Sequence, residues 1–291
     1  MKRWARVVTW VVALMFALLL ALVLLVRVRY GGGGTGFPDR TGAPVIPFSA
    51  VETVANLDHP PGNIAVSADG RVFLTLHPEG SPSVRVAELR DGVAVPFPSA
   101  AWQGPGLQDP FFDTVLSLRI DRQGRLWTLD YARHGFGQPR LLALELATGR
   151  IVHRYDFARD LAPPGSHLND FQVDPEGRHV FIADASIFGK RPALIVYDVE
   201  QRRARRLLER APPVMPGPWI PVVQGRPMRV YGLFTVAPGV DSIALDRRGE
   251  WLSFAAVTAD ALWRVRAADL LDERLSPADL WRAWSASRPR R

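Results

Sequence analysis

The sequence predicts an all-β fold, a β-propeller of the six-bladed type, preceded by one N-terminal transmembrane helix. Val7 to Val26 is a run of twenty residues in which Thr9 alone is polar. From Phe48 onward, an apolar strand, a polar turn ending in glycine and a second apolar strand recur four times. A further pair of short apolar strands follows, so a repeat supplies four strands, the content of one propeller blade.

Taken in chain order, the apolar run comes first. At 1.5 Å per residue it crosses a hydrocarbon core of ~30 Å. Lys2, Arg3 and Arg6 precede it, and Trp4, Trp10 and Tyr30 lie near its ends, where aromatic side chains favour the interface. Residues 1–29 therefore read as a membrane anchor, with membrane contact through Val7 to Val26. The positive flank predicts a single inner-membrane pass with the body facing the periplasm or the cell exterior. Secretion after signal cleavage is the alternative. It requires small residues at a cleavage site, and Arg27-Val28-Arg29-Tyr30 stands there instead. Residues 30–47, with Gly31 to Gly34 and Phe37-Pro38, read as a flexible linker.

Residues 48–291 hold the repeats. The hairpins are Ile64 to Leu74, Leu118 to Leu129, Phe171 to Ile182 and Ile243 to Phe254, with turn glycines Gly70, Gly124, Gly177 and Gly249. Second strand pairs are clearest at Arg140 to Leu146 with Arg150 to Tyr155, and at Leu194 to Val199 with Ala204 to Leu208. The third interval is longer because it holds a proline-rich insertion, Ala211 to Arg229, expected to be a loop on one face. No helical period separates the strands, which excludes an α/β sheet. Outside the anchor, Ser276 to Trp284 is the one expected helix. A fifth turn glycine would fall beyond Arg291, so the propeller is expected to be incomplete at its C-terminal end, either truncated or closed by other means.

Charge placement excludes a nucleic-acid binder. The net charge is +7, but nine basic residues without acids lie in the first 29 and last ten positions, and removing them leaves −2. No basic track remains for a phosphate backbone. The chain has no cysteine, which excludes disulfides, thiolate metal sites and a cysteine nucleophile. Lysine occurs only at Lys2 and Lys190, while arginine, alanine and proline are abundant, a composition that points to a GC-rich bacterial genome.

Leu126-Trp127-Thr128-Leu129-Asp130, Phe181-Ile182-Ala183-Asp184, Leu194-Ile195-Val196-Tyr197-Asp198 and Gly239-Val240-Asp241-Ser242-Ile243-Ala244-Leu245 occur in that order. Over Val115 to Leu270 the sequence resembles the yellow/major royal jelly protein family. The resemblance implies a secreted six-bladed propeller. Its members include pigment-pathway proteins linked to dopachrome conversion, binders of biogenic amines and nutritive proteins, so fold leaves chemistry open. The departures are the missing last blade and the missing cysteines. More distantly, the repeats are similar to gluconolactonase and regucalcin-like propellers, calcium-dependent hydrolases of sugar lactones.

That distant likeness directs attention to the residue eight before each turn glycine: Gly62, Leu116, Asn169 and Asp241. In the lactonase pattern this ring carries a glutamate, an asparagine and an aspartate that hold Ca²⁺. Asn169 and Asp241 match as metal ligands, with Asp170 a further oxygen donor; Gly62 does not match the glutamate. Asn169 and Asp241 also suit the bonding of loop backbone at blade entrances. Asp130 and Asp184 end apolar strands, where they either face a cleft or cap the next turn. His134 and His167 lie in loops beside the same clefts and are candidate general bases. The turn aspartates Asp121, Asp174 and Asp246 are read as turn-formers, and Trp127, Trp251 and Trp263 as core between blades. Arg202, Arg203, Arg205 and Arg206 are expected to form a solvated outer strand edge.

Three functions follow: a propeller binding a small aromatic or amine-like ligand in its axial cleft, a Ca²⁺-dependent lactonase-like hydrolase using Asn169 and Asp241, or a protein-interaction scaffold.

Overall fold

The computed structural model describes residues 2–31, 34–38, 42–105, 109–230, 234–276 and 279–280. The chain forms two compact units. One comprises Met1–Arg40, Gly217–Ala237 and Thr258–Asp260; the other comprises Thr41–Pro216, Pro238–Val257 and Ala261–Arg291.

In the first unit, the apolar run lies within a single helix, Lys2–Tyr30. It is long and apolar enough to cross a membrane, and none of its apolar window is buried by protein. The proline-rich insertion is more ordered than a plain loop. Trp219–Ile220 pairs in parallel with Thr35–Gly36, Val222–Val223 pairs with Arg226–Pro227, and Arg229–Val230 pairs with Phe234–Thr235.

The second unit is a β-propeller of four antiparallel sheets among the described residues. Blade I comprises Pro61–Val66, Val72–Leu76, Val86–Arg90 and Val93–Pro96. Blade II comprises Val115–Ile120, Arg125–Asp130, Arg140–Glu145 and Ile151–Asp156. Blade III comprises Leu168–Val173, His179–Asp184, Ala193–Asp198 and Arg203–Leu207, and blade IV comprises Val240–Leu245, Trp251–Ala256 and Trp263–Arg266. The first strands of consecutive blades pack side by side from I to IV. Ala267–Leu271 is a short helix; of the helix expected from Ser276 to Trp284, Ser276 is not helical, Asp279 and Leu280 are, and residues 277–278 and 281–284 lie outside the described residues.

Strand alternation explains how each sheet is held on both faces. In blade II, Leu126 points into the cluster with Phe73, Val115 and Leu144, while Trp127 and Leu129 point into the cluster with Phe171 and Val180. Blade III repeats this: Val180 and Ile182 face blade II, and Phe181 and Ala183 face blade IV with Val240 and Phe254. A period of two with both faces apolar is what a strand sandwiched between sheets requires. Each fully buried Leu or Phe contributes roughly 1.5–3 kcal/mol by leaving water.

The aspartates of the glycine turns do form those turns. Asp121 Oδ1 accepts from the backbone N–H of Gln123 and Arg125 at 3.0 and 2.9 Å, and Asp246 Oδ1 accepts from those of Arg248 and Glu250 at 3.2 and 2.8 Å. Asp121 does more, because its Oδ2 accepts from Arg125 Nε and from the indole N–H of fully buried Trp127, each at 2.6 Å. Of the other two tryptophans, Trp263 packs against the blade III–IV core, whereas Trp251 lies beneath the Arg264 and Arg266 guanidiniums at 4.5 and 4.6 Å and is half-exposed.

The Arg203–Leu207 strand is not a solvated edge throughout. Arg206 is 8% exposed and pairs with buried Asp184 at 2.8 Å, and Arg205 donates to the Leu270 carbonyl at 2.7 Å. A guanidinium beside a fully buried carboxylate offsets the carboxylate's desolvation, a need that the strand's own sequence does not announce.

Asp121→Ala is expected to lower unfolding free energy by about 2–4 kcal/mol, because it strands a buried indole N–H and the Arg125 charge. Asp246→Ala, which removes only exposed turn bonds, is expected to cost under about 1 kcal/mol. Paired urea melts check the contrast, and equal losses would contradict it.

Candidate functional site

Each innermost strand begins with a bulge, and the bulged residue is the one eight positions before the turn glycine. Pairing skips Gly62 between Pro61 and Asn63, Leu116 between Val115 and Ser117, Asn169 between Leu168 and Asp170, and Asp241 between Val240 and Ser242. An extra residue in one strand leaves its backbone unpaired and re-aims its neighbours. Hydroxyl groups from the preceding blade satisfy two of the bulges. Thr75 Oγ1 donates to the Leu116 carbonyl at 2.7 Å, and Ser117 Oγ donates to the Asn169 carbonyl. At the first bulge, a Cβ on residue 62 would stand 2.7 Å from Thr75 Oγ1 and 2.9 Å from Leu116 Cδ1. The glutamate of the lactonase pattern therefore has no room here.

The bulges carry a polar belt across the four first strands. Arg119 of blade II donates to Asn63 Oδ1 of blade I at 2.7 Å and grips Asp170 of blade III, with Nη2 at 2.7 and 2.8 Å from the two carboxylate oxygens. Burial pushes the Asp170 carboxyl up, and Arg119 opposes that rise. Asp241 of blade IV completes the belt. Its carboxylate has no hydrogen bond or ion pair among the described residues, and burial together with the nearby Asp170 charge pushes it up to about 6. Of two neighbouring carboxylates, one has a cation and the other lacks one.

Behind the belt, a wire of side chains runs outward from Asn169. Asn169 Oδ1 lies 3.1 Å from His167 Nε2, His167 Nδ1 lies 2.9 Å from His134 Nδ1, and His134 Nε2 lies 3.7 Å from Glu79 Oε1. Tyr131 stacks on His167 at 4.3 Å, and Phe188 meets His134 edge-on at 4.7 Å. Burial pushes His167 down to about 3, with the neighbouring His134 adding to the shift. Burial also lowers His134, against an opposing pull from Glu79. Both rings are therefore neutral at pH 7, and one N–H lies between the two Nδ1 atoms, donated by one ring and accepted by the other.

Asp130 and Asp184 position this histidine pair. His134 belongs to a left-handed turn in which Ala132, Arg133 and His134 have φ of 48°, 54° and 57°. Each non-glycine residue in that region costs roughly 1–2 kcal/mol. Asp130 helps to hold the turn, accepting from the Ala132 N–H at 2.9 Å and from the N–H groups of Asp113 and Thr114 at 2.7 and 3.0 Å. Asp184 accepts from the His167 N–H at 2.7 Å and the Ser186 N–H at 2.9 Å. At the histidine pair both aspartates act through backbone N–H groups, so their contribution to the site is geometric.

Sequence reasoning singled out Asn169, Asp170, Asp241 and His134, and the first three lie on the belt with His134 joined through His167. It missed Arg119, Asn63 and Glu79. Arg119 carried a faint signal, a charge inside the mostly apolar strand Val115–Ile120. Asn169 Oδ1 faces His167, both Asp170 oxygens face Arg119, and Ca²⁺ takes six to eight oxygens. Among the described residues, no three His, Asp or Glu side chains converge as a metal cluster.

The chain is similar to several solved structures, two of them named as propellers, at low identity. A nidogen/laminin complex chain shares 12% identity, covering 72% of this chain and 61% of that one with a TM-score of 0.43. The propeller domain of Cps50 (Swd1) from Myceliophteria thermophila shares 11%, covering 75% and 55% with a TM-score of 0.40. The Dos1 propeller shares 11%, covering 72% and 45% with a TM-score of 0.45. The chain thus spans less than two thirds of the length of each. No curated protein matches the sequence. The family model described as major royal jelly protein matches residues 114–279, which contain Arg119, both histidines, Asn169, Asp170 and Asp241. That match covers more than half of the sequence and three successive hairpin repeats, and the chain belongs to the major royal jelly protein family.

Proposed function

We propose that this protein is a membrane-anchored extracytoplasmic propeller that binds a small organic cation, of the aromatic amine class, at the polar belt. The observation that carries this reading is the Asp241 carboxylate: half-buried, without a partner among the described residues, and beside Asp170, whose charge Arg119 already answers. An ammonium group placed there would pair with Asp241 as the guanidinium pairs with Asp170. The amine class also accords with the amine-binding members of the family. The helix Lys2–Tyr30 supplies the anchor, and the basic residues before its apolar run support an inner-membrane pass with the propeller in the periplasm or outside the cell. Secretion after cleavage would leave the binding proposal unchanged.

A Ca²⁺-dependent lactonase-like activity is the second reading. In its favour, Asn169 and Asp241 occupy equivalent bulges; the engagement of Asn169 and Asp170 by His167 and Arg119 counts against it. A scaffold role predicts indifference to both amines and Ca²⁺.

Asp241 makes a prediction about stability. Its folded carboxyl is raised to about 6, above the ordinary value near 4, so the native state holds the proton more tightly than the unfolded chain. Stability is then lost as pH rises from about 4 to 6 and levels off above that. Asp241→Asn is expected to stabilise the protein at pH 7 by about 1–2 kcal/mol after allowance for solvent screening, and to give no gain near pH 4. Urea melts at the two pH values read this directly. A destabilised variant at pH 7 would mean that Asp241 is structural.

Binding carries a second prediction. Tyramine is expected to raise the melting temperature by linkage, while 4-ethylphenol, which lacks the amine, is not. Calorimetric titration should show Asp241→Asn weakening tyramine by at least about tenfold, and wild-type affinity falling as pH drops below about 6. Equal binding by the variant would sink the proposal. A melting shift with millimolar Ca²⁺ that Asp241→Asn abolishes would favour the lactonase-like reading instead.

A further inference from the structure

Within the first unit, the segment Gly217–Ala237 gathers around the end of the N-terminal helix. Tyr30, the last helical residue, lies 5.8 Å from Phe234 ring to ring, and Phe37 stacks on Trp219 at 5.2 Å. Thr35–Gly36 pairs with Trp219–Ile220, so a short parallel sheet fixes the segment to the chain as it leaves the helix. Val222–Val223 and Arg226–Pro227 form a tight hairpin through Gln224 and Gly225, whose φ of 49° and 75° are those of a two-residue turn matched to strand twist. A glycine second in the turn takes that φ without strain.

The hairpin's surface is unusual for water. Val222, Val223 and Met228 are 42%, 55% and 39% exposed, and Arg226 and Arg229 are exposed beside them. Residues 211–240 contain no Asp or Glu. Apolar side chains interspersed with cations and flanked by aromatics is the composition that partitions to the boundary between acyl chains and headgroups.

We infer that the Val222–Arg229 hairpin is a second membrane contact, inserting its valines into the interface beside the helix and pairing Arg226 and Arg229 with anionic lipid headgroups. The inference rests on the proposed anchoring of Lys2–Tyr30. Position argues for lipid over a protein partner, because a helix that crosses the bilayer brings Tyr30, and with it Phe234, to the surface where such headgroups lie. The cations argue for anionic lipid, since a basic residue near a negative membrane surface gains from its potential.

The native chain has no cysteine, so a single introduced thiol reports one position. The full chain would be reconstituted in vesicles of phosphatidylcholine and phosphatidylglycerol containing a headgroup-region nitroxide quencher. A fluorophore would be placed at Val223→Cys, or at Leu18→Cys in the helix, the latter read with a deep quencher. The inference expects quenching at Val223→Cys that falls roughly twofold or more with Arg226→Gln and Arg229→Gln together, and likewise on omission of phosphatidylglycerol. Quenching at Leu18→Cys but not Val223→Cys overturns the inference while anchoring stands. No quenching at Leu18→Cys overturns anchoring as well. Equal quenching at Val223→Cys without phosphatidylglycerol overturns the choice of anionic lipid.

Discussion

An extra residue at the start of each innermost strand leaves one peptide unit without a ladder partner, and a buried carbonyl without a donor costs about as much as a lost hydrogen bond. In blades II and III that donor comes from the preceding blade, through Thr75 and Ser117. The same bond therefore satisfies the bulge and fastens one sheet to the next. It also fixes where the side chains beside the bulge point. Arg119, Asp170 and Asn63 meet because their strands are held in this register, and Asp241 ends up near Asp170 without a partner of its own among the described residues. Inter-blade packing and the polar belt thus have a common origin.

The histidine pair depends on a different cost. Three consecutive non-glycine residues in the left-handed region are unfavourable by several kcal/mol in sum. The turn persists because Asp130, itself buried, accepts from three backbone N–H groups around it, and because Gly165 N–H donates to the His134 carbonyl at 2.8 Å. A straight chain there would carry His134 away from His167. Strain of this kind, held by surrounding bonds, concentrates at sites that bind or react. Its effect here is to bring two neutral rings into hydrogen-bond contact and to leave His134 Nε2 beside the exposed Glu79.

The blades were legible because each is a local event. An apolar strand, an Asp or Ser that closes a turn, a glycine at positive φ and a second strand lie within a dozen residues, and alternation within the second strands already shows two buried faces. Counting back from the turn glycine found the bulges at Gly62, Leu116, Asn169 and Asp241 without showing that they were bulges, since pairing register belongs to two strands at once. Arg119, Asn63 and Glu79 were not legible, because their partners lie about fifty residues away in adjoining blades. Arg206 looked like a surface charge for the same reason: Asp184, which needs it, belongs to another strand of the sheet. The insertion was legible as an insertion, but its pairing with Thr35–Gly36 joins segments nearly two hundred positions apart.

Electrostatics gives the polar belt a direction. Arg119 sits between Asn63 and Asp170, so its charge is used on the blade I–III side of the belt, and both Asp170 oxygens are engaged there. Asp241 faces the remaining negative charge from the other side, and desolvation adds to the repulsion. A second guanidinium at this point would have quieted the site, and a neutral residue would have removed the repulsion. A carboxylate left in this position makes the protein less stable than it could be at neutral pH, a penalty that a bound cation would remove. On the proposed amine-binding reading, selectivity at the belt lies in charge before shape: the group that would relieve Asp241 is positive, compact enough to share a half-buried strand entrance with Asp170, and able to donate hydrogen bonds to a carboxylate.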